Sequence, residues 1–130
     1  CNQMCIAGVV QGLAEAIAFG QTAGINMHTV LDVIGKGAAS SWQMHRRGDT
    51  MIEGKFDFGF AVDWMRKDLG ICLEQAKKIV KILEQARKTG ADLPLTALVD
   101  QFYGEVQNMG GGRFDTSSLI LRLNREPKKS

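Results

Sequence analysis

What the chain has little of narrows it first. Two prolines, and 23% charged against 45% hydrophobic residues, exclude a Pro-rich linker, a collagen-like repeat and a disordered tail. Three cysteines are an odd number with Cys1 at the terminus, so no disulfide framework is written here. A reducing compartment is therefore expected, the cytoplasm or, in a eukaryote, the mitochondrial matrix. No run of 18 purely apolar residues occurs, and the start carries neither the basic residues nor the cleavage site of a signal peptide, so the expectation is a soluble chain with no membrane partner. A formal charge of +2 is too small for a chain that coats nucleic acid. His28 and His45 stand alone, and Cys1 and Cys5 find no third ligand, so no metal site is expected. Gly110-Gly111-Gly112 follows a helical pattern rather than a strand and lacks the spacing of a dinucleotide fingerprint. Arg47-Gly48-Asp49 spells a cell-adhesion tripeptide with no disulfide-held loop to display it.

What is present is one domain of 130 residues, long enough to bury a core, with helical periodicity almost throughout. Charge is unevenly spread, since only Glu15, Asp32 and Lys36 fall in the first 44 positions. The front third is accordingly expected to be buried, beginning with a helix that is apolar nearly all round. Gly8, Gly12, Ala16 and Gly20 form a small-residue ridge on it, suited to close helix crossing within the domain or to a face shared with another domain or subunit. Gly24 should stop that helix, Asn26 should cap a second ending at Gly35, and Ser40 or Ser41 should cap a third from Trp42 to about Ile52. Phe60 opens a long pattern that reaches Lys88 and stops at Gly90. Pro94 suits the first turn of a fifth helix, Asp115 can cap a short sixth over 117–123, and the tail from Asn124 is polar.

Within the long pattern, Leu73-Glu74-Gln75-Ala76-Lys77-Lys78 nearly recurs ten residues later as Leu83-Glu84-Gln85-Ala86-Arg87-Lys88. Lys67 stands two turns beyond Phe60 on the face of Trp64, where an ammonium would emerge among aromatic side chains; of its acidic neighbours only Asp63, four residues earlier, is placed to pair with it along the helix.

Gly37-Ala38-Ala39-Ser40-Ser41-Trp42, Arg47-Gly48, Met51, Phe56, Gly59-Phe60, Met65, Lys67-Asp68-Leu69 and Leu93-Pro94-Leu95-Thr96-Ala97-Leu98, in that order, resemble the C-terminal helical domain of the β-hydroxyacid dehydrogenases. That group includes 3-hydroxyisobutyrate dehydrogenase and tartronate semialdehyde reductase and is related to 6-phosphogluconate dehydrogenase. The resemblance covers nearly the whole chain. It implies an all-α fold of about six helices over 1–130, which closes the site and builds a homo-oligomer, dimer or tetramer, beside an N-terminal Rossmann domain that binds NAD or NADP. The segment between Lys67-Asp68-Leu69 and Leu93-Pro94-Leu95 is about ten residues longer than the family pattern, and the surplus coincides with the near-repeat.

The resemblance also implies roles. Asn2 is similar to the amide that hydrogen-bonds a small hydroxyacid substrate, and Trp42 and Phe60 to pocket walls that keep water from the hydride path. Lys67 resembles the family lysine that reaches the cofactor near its nicotinamide end, with Asp68 orienting it. The catalytic lysine of a Lys-x-x-Asn pattern would stand two residues before Cys1, so the expectation is that this chain alone is inert. Some members without that lysine serve as oligomerisation or chromatin-associated modules, which is the alternative function.

Overall fold

Asn26 and Ser41 place the first two breaks in the chain. In the computed structural model, which describes residues 1–85 and 93–123, the Asn26 side chain accepts from the Thr29 backbone N–H at 3.2 Å and Ser41 Oγ accepts from Met44 N–H at 3.0 Å. Each satisfies a donor that a helix start leaves open. The elements are α1 (Asn2–Thr22), α2 (Met27–Ile34), α3 (Trp42–Ile52), α4 (Val62–Gln85) and α5 (Pro94–Asn108), followed by a 3₁₀ helix at Thr116–Arg122. Among the described residues there is no strand, only an isolated bridge between Ala61 and Asp115. The expected stop at Gly90, the end of the second near-repeat and the polar tail lie outside the described residues.

α1 contacts every other described helix, which makes it the axis of the fold. Length and hydropathy alone would let it cross a membrane, but one of its faces is core: Ala7, Val10, Leu13, Ala14, Ile17 and Ala18 are buried against residues such as Met51, Met65, Val99, Tyr103 and Leu119. The expectation of a buried front third holds for that face only. Phe19 is 74% exposed, and Val9, Ile25 and Val33 also lie open, because none of the described residues covers the far side of α1 and α2. The small-residue ridge divides in the same way. Gly20 receives Met27 and Gly8 faces Leu95, whereas Gly12 has open space where a side chain would stand and Ala16 is exposed.

α4 begins two residues later than the aromatic pattern suggests. Phe56 to Ala61 form a loop pinned from outside the helix: Asp115 N–H donates to Phe56 O at 2.8 Å and Thr116 N–H to Phe60 O at 3.0 Å. α4 is then fixed against α5 by Arg66, whose Nε and Nη2 meet the two carboxylate oxygens of Asp100 at 3.0 and 3.2 Å. That bidentate bond, foremost, holds the Arg66 guanidinium above its ordinary value. Asp63 accepts from Gln107 Nε2, and its backbone N–H donates to Gly112 O at 3.0 Å. Asp63 is thus turned toward the end of α5, and the pairing with Lys67 expected from spacing is replaced by one from Lys67 Nζ to Asp68 Oδ1 at 3.5 Å.

Candidate active site

Three element starts converge on one cleft: the first turns of α1 and α3 and the loop that enters α4. Gln3, Ile6, Trp42, Gln43, Phe60 and Met65 line it, with Arg47, Asp115 and Thr116 at its base, around a volume of about 250 Å³. Its walls are aromatic and aliphatic, and its polar groups, Gln3, Gln43, Arg47, Asp115 and Thr116, include one buried acceptor, Gln43 Oε1, that has no hydrogen-bond partner among the described residues.

The fixing group is Asp115, whose side chain is fully buried. Its Oδ2 accepts from Phe60 N–H at 2.9 Å, and its Oδ1 accepts from Ser117 N–H at 3.1 Å and Ser117 Oγ at 2.7 Å. Arg47 Nε completes the set with an ion pair to Oδ1 at 3.0 Å. One carboxylate therefore caps the 3₁₀ helix, holds the Phe60 backbone and neutralises an arginine from α3. The Arg47 guanidinium lies over the rings of Trp42 and Phe58, 5.2 and 5.0 Å from their centroids, so both aromatic and ionic contacts set its plane. Gly59 has φ +75°, and a Cβ there would overlap Asp115 Oδ2, so the loop admits only glycine at its closest approach.

A second polar feature runs from the cleft along the start of α1. Asn2 Nδ2 donates to Gln3 Oε1 at 2.9 Å, Gln3 Nε2 donates to Asp68 Oδ2 at 3.0 Å, and Asp68 Oδ1 faces Lys67 Nζ. The four residues taken from two distant segments form one continuous line. Its outer end is solvated, since the Lys67 side chain is 66% exposed and the Asp68 side chain 28%.

The sequence-derived site residues are placed as follows. Trp42 and Phe60 line the cleft, Trp42 remaining 60% exposed and Phe60 packing edge-on against Trp64 at 5.7 Å. Asn2, Asp68 and Lys67 do not line it and reach it only through Gln3. Among the described residues the cation over Trp64 is Arg113, at 5.2 Å from its ring, and not Lys67. Sequence reasoning missed Gln3, Gln43 and Arg47. The available signal was the spacing of Gln43 and Arg47, one turn apart on the helix that Trp42 opens, which puts both on the face that Trp42 shares with the loop.

Residues 1–123 match the family model described as NAD-binding of NADP-dependent 3-hydroxyisobutyrate dehydrogenase. The chain belongs to the 3-hydroxyisobutyrate dehydrogenase family. Over 124 residues, 95% of its length, it is 57% identical to an uncharacterised oxidoreductase of Shewanella frigidimarina, of which it covers 39%. It is 35% identical over the same share to a probable mitochondrial 3-hydroxyisobutyrate dehydrogenase-like protein of Arabidopsis thaliana, covering 34% of that chain. A 3-hydroxyisobutyrate dehydrogenase crystal structure from Salmonella typhimurium superimposes with a TM-score of 0.74 at 30% identity, over 93% of this chain and 39% of that one. The chain thus spans about two fifths or less of the length of the curated relatives described. Its all-α architecture is that of a helical part of this family, and the family is NAD(P)-dependent.

The site fits one end of such a cofactor. A cleft of about 250 Å³ is below the usual ~300–1,000 Å³ of whole-ligand pockets, so it accommodates a nicotinamide ring or a small acid and not a dinucleotide. The Lys67 ammonium, 66% exposed, is linked to that cleft through Asp68 and Gln3.

Proposed function

We propose that this chain is the site-closing, oligomer-forming helical part of an NAD(P)-dependent dehydrogenase of small 3-hydroxyacids. The observation that carries the reading is the junction at Gln3, where the polar line from Lys67 and Asp68 meets a cleft walled by Trp42 and Phe60. In this reading Asn2 and Gln3 hydrogen-bond the substrate, Trp42 and Phe60 exclude water, and Lys67, oriented by Asp68, holds the cofactor near its nicotinamide end. NAD(P), when bound, would supply the hydride acceptor for the carbon that bears the hydroxyl. The proton of that hydroxyl is the task of a lysine placed two residues before Cys1, and the phosphates are the task of a Rossmann domain that precedes this one. Neither task falls to the residues of this chain, which by itself binds cofactor weakly and turns over nothing.

The test uses the full-length protein that carries this chain. Purified with NAD and with NADP, it reduces one of them in the presence of a short 3-hydroxyacid, and changing the lysine two positions before Cys1 to alanine abolishes the reaction. A full-length protein that lacks this lysine and reduces neither cofactor would instead favour an oligomerisation or scaffold role. Tight, low-micromolar NADH binding by residues 1–130 alone would place the cofactor site on the wrong part of the molecule.

A further inference from the structure

Cys1 and Cys5 lie one turn apart at the start of α1, and both are exposed. The Cys5 backbone N–H donates to Cys1 O at 3.2 Å, the bond that closes the first turn. Helix geometry puts Cα atoms so related about 6.2 Å apart, inside the ~4.4–6.8 Å that a disulfide spans. Their Cβ atoms are about 5–6 Å apart against the ~3.5–4.5 Å that an S–S bond needs, so forming one draws the two residues together by about 1–2 Å. The two sides of the turn do not yield equally. Beyond Cys5 the helix is held in the core by Ala7 and Val10, which are 1% and 0% exposed. At its start the N-cap is a cysteine that makes no side-chain cap bond among the described residues, and the first turn carries no acidic residue. A helix start without either support opens readily. The movement therefore falls on residues 1–4, and among them Gln3 is the one whose Nε2 donates to Asp68 at 3.0 Å.

We propose that Cys1 and Cys5 form a dithiol modification site, oxidised by a small-molecule disulfide such as oxidised glutathione, and that the new bond disconnects Gln3 from Asp68. One cysteine thiolate attacks the small disulfide, which gives a mixed disulfide and releases one small thiol. The second cysteine thiolate then displaces the other half. Two protein thiols are oxidised to one S–S bond, one small disulfide is reduced to two thiols, and the two cysteine protons end on the released thiols. The bond forms without substrate or nicotinamide cofactor. Its effect on turnover rests on the dehydrogenase reading, whereas the bond and the opened turn do not.

The experiment treats the full-length protein, wild type and Cys5→Ser, with oxidised glutathione, blocks the remaining thiols with N-ethylmaleimide and digests with trypsin. Lys36 is the first Lys or Arg after Cys1, so both cysteines fall in one peptide and Cys72 in another. The wild-type peptide should lose two hydrogens and carry neither glutathione nor maleimide, while Cys5→Ser should keep glutathione on Cys1. A wild-type peptide that carries either group on both cysteines after oxidation would overturn the proposal. Hydrogen exchange at the Cys5 amide should be faster in the oxidised than in the reduced wild type, and equal rates would show that the turn stays closed and the proposal is wrong. These two readouts stand even if the protein turns over no hydroxyacid. Where it does, oxidation should lower kcat/KM about ten- to a hundredfold, the cost of misplacing a site residue by about 1 Å, with recovery in dithiothreitol and no loss in Cys5→Ser. An oxidised wild type within twofold of the reduced enzyme would overturn the link from this bond to Gln3.

Discussion

Replacing Asp115 by asparagine tests the centre of the fold and of the site together. The change is nearly isosteric, leaves no cavity and acts through charge and hydrogen-bond polarity. With its oxygen kept toward Ser117, the new amide presents an NH₂ to the Phe60 N–H, donor against donor; flipped, it faces the Ser117 donors and Arg47 Nε instead. One buried donor is therefore orphaned in either orientation, at about 1–3 kcal/mol. Arg47 also loses its counter-charge, and breaking a buried pair costs about 3–5 kcal/mol. Because Arg47 keeps 18% of its side-chain surface, it can recover part of its hydration. A total near 3 kcal/mol follows, which for a domain of this size lowers Tm by about 10 °C. Far-UV circular dichroism melts at neutral pH check it. Adding Arg47→Met should return at least about 1 kcal/mol, because the stranded charge goes with it. A Tm within about 2 °C of wild type for Asp115→Asn would refute the picture of a saturated, buried carboxylate.

In the full-length enzyme, Lys67→Ala should lower kcat/KM by about one to three decades, or about 1.4 to 4 kcal/mol, with unchanged stability because the side chain is largely solvated; kinetics within twofold of wild type would return Lys67 to the solvent. The isolated chain should self-associate through the open apolar surface that includes Phe19, Ile25 and Val33, and sedimentation showing a stable monomer at tens of micromolar would refute this. Burial, and after it the Asp115 charge, push the Tyr103 phenol above its ordinary value, and its hydroxyl has Thr116 beside it without meeting hydrogen-bond geometry. The neutral phenol thus stabilises the fold fully below pH ~10, and the contribution is lost as pH rises and the unfolded chain ionises. Tyr103→Phe should cost under about 1 kcal/mol at neutral pH and should flatten the alkaline loss of stability seen in urea melts at graded pH.

The local chemistry of the chain was legible. Asn26, Ser41 and Asp115 cap helices because an N-cap needs only its own next two or three residues, and Pro94 opens α5 for the same reason. What escaped was non-local. The start of α4 depends on backbone bonds from Asp115 and Thr116, half the chain away, and Asp63 is drawn from Lys67 by Gln107 and Gly112 on another helix. In the site, Trp42 and Phe60 were singled out by the family resemblance, while Arg47 stood in that resemblance and in an adhesion-like tripeptide with no role attached to it. Its importance comes from Asp115, which sequence presents only as a cap. Burial of the front third was overread for a similar reason: an apolar helix pattern does not say which of its faces the rest of the fold covers.

α1 joins the two ends of the molecule mechanically. At one end Gln3 meets Asp68 at the cleft, and at the other Gly20 admits the Met27 side chain where α2 turns back. The rod between Gln3 and Gly20 is about 26 Å long, at 1.5 Å per residue. Pivoting it by only about 2° around its Gly20 end would carry Gln3 about 0.9 Å, enough to exceed the ~0.5 Å tolerance for a productive constellation. Rate in such an enzyme would then be sensitive to substitutions at Gly20 and Met27, a full helix length from the chemistry. In the dehydrogenase proposed above, a larger residue at position 20 would act as a wedge at one end of this rod, and the displacement would be felt at Gln3.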